Sequence, residues 1–219
     1  MVQERVCIDI ETIPCQGLHD ELLEIARQKT EKKRTKDKES DDGSKEDASS
    51  VKLVKFCSLN PGFGQIVCIG VGFDIGSGVD VQMFSGRDET AVLNQFWAFL
   101  SPRRNSKIVT FNGKSFDVPF IIKRSAILGI LPTVRISTRR YETDRHFDVF
   151  ELLTDFYNCK EKFSLHAYCK MFGVENMDTS TGSEVFQLWK EGRISEIESH
   201  CAEDVRSTLG LHSKIQAYY

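Results

Sequence analysis

Residues 5–14 read RVCIDIETIP, and most of the architecture follows from how this run is taken. Its first part, RVCIDI at 5–10, is apolar and β-branched in the manner of a strand. Asp9 and Glu11 lie two apart, so on a strand both carboxylates leave the same face. Acids held side by side in an apolar strand repel each other and cost stability unless a cation neutralises them. Hard divalent cations such as Mg2+ and Mn2+ prefer oxygen ligands of this kind. A solvated strand edge carries the same pattern, so the pair alone does not separate chemistry from structure.

Outward from this run, IVCIGVGF at 66–73 and Val79 to Phe84 predict a hairpin across the Gly76-Ser77-Gly78 turn. Asp88 is placed to cap a helix with an apolar face of Val92, Phe96, Phe99 and Leu100. A short strand follows at Lys107 to Phe111. A helix over about 116–128 then carries Pro119 in its first turn, where proline is tolerated. His146 to Val149 reads as another short strand, and the remainder as helices at about 149–157, 164–172, 183–191 and 194–216. This order predicts an α/β protein with a mixed central sheet flanked by helices, and there is no internal repeat.

The chain has 219 residues, enough for one domain spanning 1–219. A hydrophobic content of 40% and a charged content of 28% are those of a globular protein. The net charge of -3 argues against a whole-surface electrostatic grip on long nucleic acid. An enzyme holding only a strand end needs just local contacts. The seven cysteines are odd in number and none has CxxC spacing, which disfavours a disulfide framework or a zinc site. With no leader pattern and no apolar run of membrane-spanning length, the expectation is a cytoplasmic protein, or a nuclear one in a eukaryote, without a membrane partner. Residues about 27–50, RQKTEKKRTKDKESDDGSKEDASS, are nearly devoid of apolar side chains and predict a charged, flexible insert. Its basic half could extend a helix begun near Asp20, and KKRTK at 32–36 could gather phosphates.

Three further residues join Asp9 and Glu11. Asp117 follows strand KIVTF and an Asn-Gly turn and opens a helix, where the dipole alone would favour an acid. It would also sit at the C-terminal edge of the sheet, where ligands of open α/β folds collect. Asp204 and His200 are four apart on a helix and share a face. Each acid alone has an ordinary structural explanation. Their conjunction on elements that converge suggests two divalent ions about 3.5–4 Å apart, assisting in-line phosphoryl displacement.

At these residues the chain resembles the DEDD superfamily of 3′→5′ exonucleases. DIET at 9–12, NGKSFD at 112–117 and HCAED at 200–204 look like its three motifs in order. The nearest resemblance is to the predicted exonucleases related to the proofreading domain of B-family DNA polymerases. It extends through DIETIP, FNGKSFDVPFIIKRSAILGI, RHFDVFELL and GSEVFQLWKEGRISEIESHCAEDV. The resemblance implies a ribonuclease H-like fold and Mg2+- or Mn2+-dependent removal of nucleoside 5′-monophosphates from single-stranded 3′ ends, with DNA somewhat favoured over RNA. It implies that Asp9, Glu11 and Asp204 hold one metal and that Asp9 bridges to a second, reached by Asp117. Thr12, Asn112 and Phe116 would lie near the terminal nucleotide, and Asp148 would support the site from behind.

One position departs from the pattern. The polymerase-related branch has tyrosine where this chain has His200. The histidine branch has four intervening residues before its last aspartate, and here there are three. Imidazole is the better base near neutral pH. His200 is thus expected to orient the water or accept its proton, although it could be only a spacer. The departure also leaves open a nucleic-acid-binding module that has lost turnover. Proofreading would require a separate polymerase or repair partner.

Overall fold

A computed structural model of the chain describes residues 4–36, 45–74, 78–176 and 184–219. Five strands form one sheet in the order β3-β2-β1-β4-β5. They are β1 (Arg5–Pro14), β2 (Gly64–Asp74), β3 (Val79–Ser85), β4 (Lys107–Thr110) and β5 (His146–Asp148). The hairpin pairs β2 with β3 antiparallel, β1 is antiparallel to β2, and β4 and β5 continue parallel to β1. The sheet is therefore mixed, with helices on both faces, as the element order predicts. The residues of the expected turn at 75–77 lie outside those described.

Alternation along β1 builds two cores. Val6, Ile8 and Ile10 pack with α3 (Glu89–Leu100) and α4 (Asp117–Ile127). Cys7, on the other face, joins Val109 and Phe147 against Val205 and Leu209 of α8 (Ile194–Ile215) and Tyr168 of α6 (Leu165–Phe172). Ile13, Val67 and Cys68 meet Trp189 of α7 (Val185–Lys190) and Ile197 and Cys201 of α8. Asp88 caps α3 by accepting from the N–H groups of Thr90 and Ala91. A buried ion pair ties the α3/α4 face to β2: Arg124 Nη2 and Nε donate to Glu89 at 2.7 and 2.9 Å, and Glu89 also accepts from Ile66 N at 2.8 Å.

Two expectations are corrected. Residues 45–50 are helical, within α2 (Lys45–Ser58), where composition predicts a loop, while 27–36 continue α1 (Asp20–Lys36), the extension expected of the basic half. The composition of the window misses its flanks. Ala26 and Cys57, one before the window and one after it, are buried, and α2 packs on β1 while α1 packs on α2. Residues 37–44 and the side chains of 32–48, including KKRTK, lie outside the described residues. The helix expected over 149–157 stops at Leu153, giving α5 (Val149–Leu153). Asp155, Phe156 and Tyr157 take φ of 47°, 55° and 68°, a left-handed turn stitched by Thr154 Oγ1 accepting from Tyr157 N. No helix among the described residues is long and apolar enough to cross a membrane.

The approach of α8 to the sheet depends on two glycines. Gly70 and Gly72 of β2 pair with Asp9 and Cys7 of β1. A Cβ on Gly70 would lie 2.8 Å from Cys201 Sγ, and one on Gly72 would lie 2.3 Å from Val205 Cγ1. Overpacking of a fitted core costs about 1–3 kcal/mol. Gly72→Val should lower unfolding stability by about that amount in urea. An unchanged midpoint would show that α8 does not rest on this backbone.

Candidate active site

β1 presents Asp9 and Glu11 to α8, which returns His200, Cys201 and Asp204. His200 and Asp204 sit one turn apart on the helix. Donor atoms of Glu11, His200 and Asp204 lie within 4.8 Å of one another, and so do those of Asp9, Glu11 and Cys201. His200 Nε2 is 3.4 Å from Glu11 Oε1. Cys201 Sγ donates to Asp9 Oδ2 at 3.3 Å. Burial and the adjacent Cys68 thiol raise the pKa of Cys201 well above its ordinary value, so it stays a donor.

Asp117 reaches the same corner from α4. It is the first residue of that helix and accepts from Ile10 N, between Asp9 and Glu11, at 3.1 Å. The NGK turn that places it is unusual in its backbone. Asn112 has φ of 65°, and a Cβ on Gly113 would stand 2.5 Å from Thr110 Cβ. The fully buried Asp148 holds this turn. Its carboxylate accepts from the N–H groups of Asn112 (2.9 Å), Lys114 (2.9 Å) and Glu151 (3.1 Å). Lys114, also buried, pairs with Glu151 at 2.5 Å. Behind them, His146 bonds Thr110 Oγ1 at 2.8 Å, and burial lowers its pKa to about 4.

Charge is concentrated in this corner. Burial raises the pKa of Asp9 well above the usual carboxylate range, and Asp117, Asp204 and Glu11 push it further. Burial, with Asp148 and Asp204 nearby, raises Asp117 to about 7. With Asp9 and Asp117 resisting ionisation, the oxygen-rich cluster fits hard divalent cations, which would restore their ionised forms.

Of the sequence candidates, Asp9, Glu11, His200 and Asp204 form one cluster, and Asp117 adjoins it through Ile10 N. Asn112 lies in the supporting turn and accepts from Tyr157 Oη at 2.9 Å. Thr12 donates its hydroxyl to Ser58 O at 2.8 Å, and Phe116 packs on Phe120 with ring centroids 5.5 Å apart. Both are thus engaged by the fold. Sequence reasoning missed Cys201 as a contact of Asp9. Its position one residue after His200 was the available signal. The run TSTGS at 179–183, whose composition predicts a loop and helix cap within reach of a substrate strand, lies outside the described residues, and Lys160 and Lys162 are exposed.

Comparison with known proteins adds to this geometry. Residues 59–219 match the family described as predicted 3′-5′ exonuclease related to the exonuclease domain of PolB. The chain belongs to this family. The family B DNA polymerase of the hyperthermophilic archaeon Pyrobaculum calidifontis superposes on 100% of the chain and 25% of its own, with a TM-score of 0.64 and 19% identity. The fold of this exonuclease-family chain is accordingly ribonuclease H-like. A DNA polymerase of Pyrococcus glycovorans is 23% identical over 137 residues, 56% of the chain and 18% of that protein. The catalytic polypeptide of DNA polymerase epsilon from Candida glabrata is 44% identical over 50 residues, 23% of the chain and 2% of that protein. The chain thus spans less than a fifth of the length of these two polymerases.

The crowding of acids has a thermodynamic signature in the metal-free protein. Unfolded aspartate ionises near pH 4, and folded Asp117 near 7. Its contribution to stability is therefore complete below about pH 4 and is lost as pH rises through about 7. In EDTA, Asp117→Asn should gain stability relative to wild type as pH goes from 5 to 8. A difference that stays flat across that range would contradict the assignment.

Proposed function

We propose that the protein is a metal-dependent 3′→5′ exonuclease, with residues 1–219 acting as one domain inside the cell, in cytoplasm or nucleus. It hydrolyses the terminal phosphodiester of single-stranded nucleic acid, DNA in preference to RNA, and releases nucleoside 5′-monophosphates. The observation that carries this reading is the meeting of Asp9, Glu11, His200 and Asp204 in one corner between β1 and α8, with Asp117 hydrogen-bonded between the first two. Membership of the exonuclease family supports it. The matched relatives are DNA polymerases, which supports a separate polymerase or repair protein as partner.

Asp9, Glu11 and Asp204 would hold one divalent ion, and Asp9 with Asp117 a second, Mg2+ or Mn2+ in each case. Such ions supply Lewis-acid stabilisation of the phosphoryl group and of the leaving oxygen. His200 takes the place of the tyrosine of related enzymes. Its Nε2 faces Glu11, so the carboxylate steadies the ring. From there the imidazole orients the attacking water or accepts its proton. Asp148 and the buried Lys114–Glu151 pair act on Asp117 through the turn at 112–114, and fix where the helix begins.

A 5′-labelled single-stranded DNA oligonucleotide should lose 3′ nucleotides only with Mg2+ or Mn2+, and Asp117→Ala should reduce the loss to background. Binding without turnover in either metal would favour a module that has kept the fold and lost the activity. RNA degraded faster than DNA would reverse the substrate preference. For His200→Ala, kcat should fall about 10²-fold. Unchanged turnover would make His200 a spacer.

A further inference from the structure

The face of β1 that carries Asp9 and Glu11 carries Arg5 at its other end. Lys107 of β4 pairs with Arg5 in the parallel register, so both side chains leave the sheet toward α8. Like charges opposite one another on adjacent strands are destabilising. Among the described residues, neither cation has a carboxylate at ion-pair distance. The Phe147 ring centroid lies 5.9 Å from Lys107 Nζ.

α8 brings His212 into the same place. The residue is 2% exposed and edge-on to Phe147, with centroids 4.6 Å apart. Its Nδ1 is buried without a hydrogen-bond partner among the described residues. Buried polar atoms in native proteins are nearly always paired, so an orphan facing a cavity calls for an explanation, and a ligand in that cavity is one. Burial, with Arg5 and Lys107 close by, lowers the His212 pKa to about 4. Arg5, Lys107, Phe147 and His212 line a cavity of about 200 Å³, together with Thr143, the exposed Asp144, Gln216 and Tyr219.

We propose that this cavity binds an oxyanion, a phosphate group held by Arg5, Lys107 and His212. Phosphate suits the donor set, because a planar guanidinium, an ammonium and an imidazole approach from three elements and phosphate accepts from several directions at once. The site is separate from the carboxylates. Arg5 precedes Asp9 by four strand residues, roughly 13 Å, and His212 follows Asp204 by eight helical residues, roughly 12 Å. The bound phosphate is therefore not the one being hydrolysed. It comes from free phosphate, from a nucleoside monophosphate, or from the backbone of a strand that crosses this end of the sheet.

The test needs no turnover, so its outcome is independent of the nuclease assignment. In EDTA, inorganic phosphate is titrated into the protein by calorimetry while the His212 ring is followed by 1H–15N NMR. Saturable binding with shifted His212 resonances is expected. Arg5→Gln and Lys107→Gln should each weaken it about tenfold, while Asp117→Ala binds as wild type does. Parallel titrations with a deoxynucleoside 5′-monophosphate and a single-stranded oligonucleotide identify the source by which ligand binds most tightly through Arg5 and Lys107. No saturable phosphate binding, or binding undiminished in both variants, would overturn the proposal.

Discussion

Carboxylates from β1, α4 and α8 meet in a space that excludes much of the water able to screen them. Asp9 is affected by Asp117, Asp204 and Glu11 together, and each would be easier to bury alone. A protein that needed only stability would place apolar groups here, because buried acids without cations favour their neutral forms. Much of the surrounding architecture serves to hold the acids in spite of that repulsion. Ile10 N offers Asp117 a donor, and Cys201 offers one to Asp9. Gly70 and Gly72 remove the side chains that would keep α8 away from β1. Asp148, itself buried, draws on three backbone N–H groups to hold the turn before α4.

The same face of the sheet is polarised from end to end. Carboxylates collect where α8 begins its passage over β1, and Arg5, Lys107 and His212 collect where it ends. Both ends carry like charges brought together by the fold, the acids from β1, α4 and α8 and the cations by the register of β1 and β4. Each is an arrangement that a counterion of the opposite sign would relieve, a divalent cation at one end and an oxyanion at the other.

The acids themselves were legible in the sequence, because i, i+2 on a strand and i, i+4 on a helix are local geometry. So were the hairpin, the Asp88 cap and the long last helix, each marked by a period or a cap residue. The contacts that fix the acids in place were not. Cys201 touches Asp9 across 192 residues of chain, and Asp148 reaches Asn112 across 36, and no local pattern encodes such pairings. The helix that begins in the acidic half of the charged stretch was missed because its apolar anchor, Cys57, lies outside that stretch. Thr12 and Phe116 carry the family motif, yet their contacts in this chain are with Ser58 and Phe120.

The proposed role of the clustered acids is to hold divalent cations, and Mn2+ binding observed by electron paramagnetic resonance tests it most directly. The wild-type protein should take up Mn2+ saturably, with spin–spin broadening as a second ion enters. That uptake should be lost in Asp9→Asn, whose side chain faces both proposed positions. Uptake that is absent in the wild type, or that survives unchanged in Asp9→Asn, would contradict this role.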